Sequence, residues 1–195
     1  CMADSNITKR ALATSLKELM AEQPFEKINV AQICERCDMN RKSFYYHFKD
    51  KYDLVNWIFD TEFIALLKDE NLDVSRSNYK ERWAFIEKIC QYFYHNHGFY
   101  RKALQIKGQN SFSDHFREYI QPLLADRISA LFGQKQLDQF TMDFFTDAVI
   151  CAMERWLLTK ECMPPEQFLE KVKALMEESA RSICRELVQA EQESS

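Results

Sequence analysis

The sequence predicts an all-α protein, and three observations carry that expectation. The 195 residues include only three glycines and four prolines. Average usage would supply roughly fourteen and ten. Sandwiches, barrels and propellers need many Gly/Pro-rich turns, so the scarcity argues against them. The second observation is composition. Apolar residues make up 46% and charged residues 29% of the chain, with Ala, Leu, Glu, Lys and Gln frequent, which suits amphipathic helices with a core. The third is a series of helix-start signals, taken up below in chain order. The same glycine count removes the GxGxxG and P-loop readings of nucleotide binding.

The first predicted helix starts near Ser5, with Leu12, Leu16, Leu19 and Met20 on one face. Pro24 ends that region. Asn29 reads as the cap of a second helix over residues 30–36. Gln32 is placed to reach back, and Ile28 and Ile33 form a hydrophobic staple. Asn40 repeats the device for a helix over 41–47, stapled by Met39 and Phe44. Asp50, with Asp53 at the third helical position, repeats it for a helix running to about residue 68. Two helices this short are unstable alone and must pack on their neighbours. The polar stretch 69–77 reads as a loop.

Asn78 with Glu81 opens a fifth helix, whose stripe is Trp83, Ile86, Ile89, Cys90 and Phe93. Gly98 is expected to separate it from a short sixth helix, and Gly108 to end that one. Ser111 with Asp114 reads as a capping box for a seventh, kinked at Pro122 and closed by Gly133. Its stripe is Phe116, Tyr119, Leu123, Leu124, Ile128 and Leu131. An eighth helix is expected over residues 135–160. A ninth, over 165–190, has Pro165 near its first position, and residues 191–195 read as a frayed tail. The predicted division is 5–50 and 51–190.

No apolar run is long enough to span a membrane. No basic-then-apolar leader is visible, so a cytoplasmic location is expected. Seven cysteines, odd in number and scattered, read as reduced thiols rather than a disulfide framework. Cys34 and Cys37 form a lone CxxC without histidines at finger spacing, read as structural thiols. Cys90, His95 and His97 form a loose cluster, but His95 and His97 point to different helix faces. No metal and no cofactor are expected. No nucleophile–base pair is apparent, so an enzyme is not expected either.

Net charge is −4, which by itself opposes a nucleic-acid partner. The distribution is uneven. Residues 40–51 hold Arg41, Lys42, Lys49 and Lys51 against Asp50, with His47 among them. Residues 30–36, a turn at 37–39 and residues 41–47 make a helix-turn-helix, with Asp38 placed for a left-handed turn residue. Arg41 and Lys42 begin the second helix, where the helix dipole disfavours cations. A polyanion at that terminus reverses the sign.

Cys34 to Leu54 reads C-E-R-C-D-M-N-R-K-S-F-Y-Y-H-F-K-D-K-Y-D-L. It resembles the DNA-binding signature of the tetracycline-repressor (TetR) family, usually Ala-Gly-Val-Ser-x-Gly-Thr-x-Tyr-x-His-Phe-x-x-Lys-x-x-Leu. Met39, Asn40, Ser43, Tyr45, His47, Phe48, Lys51 and Leu54 fill matching places. Two family glycines are replaced, by Asp38 in the turn and Lys42 in the recognition helix. The resemblance implies a regulator that binds double-stranded DNA with residues 41–47 in the major groove. Arg41, Lys42 and Tyr46 become candidates for base edges. Ser43, Tyr45, His47 and Lys51 become candidates for phosphates, and the helix starts at Asn29 and Lys51 can offer amides. Phe44 and Phe48 belong to the core, and Tyr45 has a core place in the small domain as its alternative.

Residues 144–158 followed by M-P-P-E-Q-F resemble regulators grouped with dihydroxyacetone-kinase activators. The family resemblance further implies a homodimer through the last two helices, with Ile150, Met153, Trp156, Leu157, Val172, Leu175, Met176, Ile183 and Leu187 as interface or core positions. It implies an effector, a small molecule or a partner protein, bound in the C-terminal part. Tyr92, Tyr94, His97, Tyr119 and Arg155 are candidate polar contacts for it. The contrasting expectation is a helical protein-interaction module without sequence-specific DNA binding.

Overall fold

A computed structural model describes residues 2–69, 78–108, 111–131 and 137–193. Among these, every regular element is helical: α1 (Met2–Glu22), a 3-10 turn (Phe25–Lys27), α2 (Val30–Arg36), α3 (Arg41–His47), α4 (Lys51–Asp69), α5 (Tyr79–His95), α6 (His97–Ala103), α7 (Phe112–Leu131), α8 (Gln139–Leu158) and α9 (Pro165–Glu193). No described helix is long and apolar enough to cross a membrane.

The chain forms two compact units, Cys1–Asn71 with Asn96–Phe116, and Leu72–His95 with Arg117–Ser195. The packing therefore cuts differently from a division at residue 50. The helix α4 and the segment around α6 belong with the N-terminal helices.

In the first unit, the predicted stripe of α1, Leu12, Leu16, Leu19 and Met20, is buried, as are Phe25, Ile28, Ile33, Phe44, Phe48 and Leu54. Buried Ser15 donates its hydroxyl to the Ile33 carbonyl at 2.6 Å, which fastens α2 to α1. Arg36 grips Glu22 with two 2.7 Å hydrogen bonds, a second tie between the same helices. Deeper in the unit, Phe59 of α4 centres an aromatic cluster. Its ring lies 5.0 Å from Phe63, 5.5 Å from Phe112 and 6.0 Å from Phe116. Lys102 of α6 donates to the carbonyls of Met20 and Ala21. A cation there complements the negative end of the α1 dipole.

In the second unit, Trp83, Phe85, Ile89, Cys90 and Phe93 of α5 are buried. Trp156 of α8 stacks on Phe168 of α9 at 4.6 Å and 6°, and its indole N–H donates to the Met163 carbonyl at 2.8 Å. Arg117 of α7 holds Glu154 of α8 by two hydrogen bonds of 3.0 and 2.6 Å. Ile128, Met176 and Ala180 make a further buried cluster.

Several element boundaries differ from expectation. The break between α5 and α6 falls at Asn96, and Gly98 lies inside α6. The last residue of α6 is Ala103, and Gly108 sits beyond it at φ 112°, where glycine bears a left-handed conformation without steric cost. Asp138 caps α8 by accepting from the Thr141 amide, so that helix starts four residues later than expected. The α9 helix continues to Glu193, past the expected frayed start. The carboxylate of Asp53 accepts from the Lys49 amide, one residue before the cap it was expected to reach. The α7 helix runs through Pro122. The loop expected over 69–77 and the cap at Gly133 lie outside the described residues, apart from Asp69.

Candidate nucleic-acid interface

The helix-turn-helix is built by local rules. Asn29 and Gln32 form a reciprocal capping box at 3.0 and 2.9 Å. The far end of α2 closes in a Schellman motif. The Met39 amide donates to the Cys34 carbonyl at 2.9 Å and the Asp38 amide to the Glu35 carbonyl at 3.3 Å. Asp38 holds the required left-handed conformation at φ 54°. Asn40 then caps α3 by accepting from the Ser43 amide at 2.8 Å. The chain thus reverses within three residues, and the start of α3 is fixed on both sides.

Two rings anchor α3 and two leave it. Phe44 and Phe48 are 0% and 3% exposed, whereas Tyr45 and Tyr46 are 59% and 82% exposed. Arg41, Lys42 and Asn40 are also exposed. Large aromatic rings in water have no folding rationale and suit a partner surface. Arg41, Lys42 and Tyr46 stand on the open side of α3, as do Tyr45 and the half-buried Ser43 and His47.

Burial, and then the nearby Lys9 ammonium, push the His47 pKa down, so the imidazole is neutral at pH 7. Lys9, on α1, lies 5.9 Å from the Phe48 ring centroid and 5.8 Å from that of Trp57. It adds a cation beside the end of α3 that the sequence reading did not single out. Position 9 sits far from the motif in sequence, and only the packing of α1 brings it there.

Lys51, expected at a phosphate, turns back onto its own unit: its ammonium donates to the carbonyls of Phe25 and Ile28 at 2.8 and 2.7 Å. At the start of α4, Asp50 accepts from the amides of Tyr52 and Asp53, so its carboxylate shares the terminus offered there. Cys34 is buried, and the Cys37 thiol donates to the Ile33 carbonyl at 3.3 Å. Desolvation raises both thiol pKa values, which keeps them protonated and unreactive.

The five candidate effector contacts divide between the units. His97 lies on α6 in the first, while Tyr92, Tyr94, Tyr119 and Arg155 lie in the second. Tyr92 and Tyr119 are half-buried, Tyr94 and Arg155 exposed. The Tyr94 ring stacks on Trp156 at 6.4 Å. A groove of about 450 Å³ between α5 and α9 is lined by Trp83, Glu87, Leu169 and Lys173 among others, and by none of those five. His95 bonds the Gln91 carbonyl of its own helix, and burial pushes the Cys90 thiol up to about 12.

The apolar positions of α8 and α9 also sort themselves. Ile150, Met153, Trp156, Leu157 and Met176 are buried within the chain, and Val172 and Ile183 are half-buried. Leu175 is exposed, together with Phe140 and Phe144, whose rings lie 6.4 Å apart. The Leu187 side chain lies outside the described residues.

Comparison with known proteins agrees with this geometry. Residues 14–58 match the model described as bacterial regulatory proteins, tetR family, and residues 81–178 match a transcriptional regulator C-terminal region of the same family. The HTH-type dhaKLM operon transcriptional activator DhaS of Lactococcus lactis subsp. lactis (strain IL1403) is 26% identical over 174 residues, covering 88% of this chain and 87% of that protein. A solved dihydroxyacetone kinase operon activator DhaS has a TM-score of 0.66 at 20% identity, over 90% of this chain and 97% of the other. A TetR transcriptional regulator from Streptococcus agalactiae 2603V has a TM-score of 0.65 at 18% identity, over 89% and 96%. A signature helix-turn-helix with its caps formed, joined to the matching C-terminal region, makes this chain a member of the TetR family of DNA-binding transcriptional regulators.

Proposed function

We propose that this regulator binds an inverted-repeat operator as a homodimer, one α3 in each half-site. The observation that carries the reading is the start of α3, where Arg41 and Lys42 stand exposed beside Tyr46 against the helix dipole. Arg41 takes a guanine edge, Lys42 and Tyr46 flank it, and Ser43, Tyr45 and His47 hold phosphates. The capped ends at Asn29 and Asn40 set their register. The exposed α8 residues Phe140 and Phe144 and the exposed Leu175 of α9 support association of two chains through these helices. Control passes through an effector or partner bound by the C-terminal part. The operon activators among the relatives support activation as the direction of control.

Selection from random duplexes tests the reading. The expected product is an inverted repeat with half-site centres about 34 Å apart, or a multiple. Its affinity falls with salt and falls again in Arg41→Ala and Lys42→Ala. A folded dimer that enriches no sequence at low salt refutes it and leaves the interaction-module reading.

A further inference from the structure

The side chain of Lys51 runs from the first turn of α4 back beneath the 3-10 turn. Its ammonium reaches the Phe25 and Ile28 carbonyls at 2.8 and 2.7 Å and the Glu26 carbonyl at 3.4 Å. An ammonium has three donors and no acceptor, and three carbonyl oxygens match them. The same group stands 4.4 Å from the Phe25 ring centroid and 5.7 Å from that of Tyr52; the ring faces attract a cation, while burial lowers the ammonium's pKa from its ordinary value. The carbonyls lie on residues 25–28, which lead directly into Asn29, the cap of α2. One tethered charge therefore joins the start of α4 to the start of the helix-turn-helix. A phosphate at this point competes with three oxygens already in place.

We propose that Lys51 is a positioning residue for DNA recognition, which locks the lead-in of α2 to the first turn of α4, sets the angle at which α3 is presented, and leaves the phosphates to other side chains. This rests on the DNA-binding reading above. Direct phosphate contacts contribute to the dependence of binding on salt, with a slope of about −0.9 per contact in a log–log plot. A positioning residue contributes affinity for the correct sequence and nothing to that slope.

The test compares full-length wild type, Lys51→Met and Lys51→Arg on the selected operator and on a scrambled duplex, by fluorescence anisotropy between about 50 and 200 mM salt. For Lys51→Met the expected result is operator affinity lower by about tenfold, with wild-type slope and unchanged binding to the scrambled duplex. Lys51→Arg separates the roles again. Its planar fork cannot converge three N–H groups on three carbonyls, so positioning predicts the Met phenotype, whereas a phosphate contact predicts near-wild-type binding. A slope shallower by about 0.9 per subunit in Lys51→Met, with both duplexes weakened in parallel, overturns the proposal. So does wild-type behaviour on both duplexes, or loss of the folded state in both variants by circular dichroism. Failure of the wild type itself to prefer any operator is a different result, which strikes the DNA-binding reading instead.

Discussion

Removing the cations at the start of α3 is expected to stabilise the free protein while weakening its grip on DNA. Arg41 and Lys42 occupy the first two positions of a seven-residue helix whose first turn contains no acid. Both side chains are exposed, so neither is held by packing. A charge of the wrong sign in the first turn costs about 0.3–1 kcal/mol at low ionic strength. Glutamine has nearly the helix propensity of Arg and Lys, so Arg41→Gln with Lys42→Gln changes charge and little else. The pair is expected to gain about 1 kcal/mol, or about 2–4 °C for a chain of this size. Thermal unfolding by far-UV circular dichroism at low salt reads the gain. It should fade near 1 M salt, where the screening length falls to about 3 Å. On DNA the sign reverses. Under the proposed guanine contact of Arg41, losing a bidentate arginine–guanine pair costs about 1–3 kcal/mol of discrimination. A double variant no more stable than wild type at low salt, or a gain that persists at high salt, refutes the dipole argument.

Three further outcomes follow from the geometry. Asp38→Gly should raise stability by up to about 1 kcal/mol, because a Cβ at φ 54° bears a steric cost that glycine lacks, and Asp38→Ala should lower it, because alanine keeps the Cβ but loses the short polar side chain that eases this conformation by local hydrogen bonding; denaturant titration gives the order. Phe59 is fully buried among aromatic neighbours, and Phe59→Ala should cost about 3–5 kcal/mol in the same assay, a loss below about 2 counting against the cluster's role. The depressed pKa of His47 means that the folded chain binds this proton less tightly than the unfolded one. Stability should therefore fall as pH drops from about 6.5 through the folded value. If His47 holds a phosphate as proposed, DNA binding should grow more salt-sensitive over that range as the imidazole gains charge, and both effects should vanish in His47→Gln.

The sequence was most legible where local chemistry decides the structure. Asn29, Gln32, Asn40 and Asp38 act within a few residues of themselves, so caps and turn could be placed to the residue. Phe44 and Tyr45 differ by one place on a helix; the sequence put Phe44 in the core but left Tyr45 open between core and surface, and burial sets it in solvent. Legibility failed where partners are distant. Lys51 finds its carbonyls at residues 25–28, and Lys9 reaches the rings of Phe48 and Trp57 only through the packing of α1. Gly98 misled because a glycine is tolerated early in a helix, and the bend came one turn-forming Asn sooner. On α8 and α9 the apolar period could not tell inner positions from outer ones. Burial now assigns Trp156 to the core and leaves Phe140, Phe144 and Leu175 in solvent.

The brevity of α3 limits how much sequence one subunit can recognise. Seven helical residues extend about 10 Å at 1.5 Å each, and base pairs rise about 3.4 Å apart. One head therefore spans the edges of about three base pairs. A triplet recurs by chance about every 64 positions, against the roughly million or more competing sites of a genome. Doubling the head squares that rarity to about one in 4,000, which is still too common. The rest of the address must come from the spacing between the heads and from the deformability of the duplex that joins them. Operator length and bendability, more than the identity of any single base, should then separate this regulator's targets from those of its relatives.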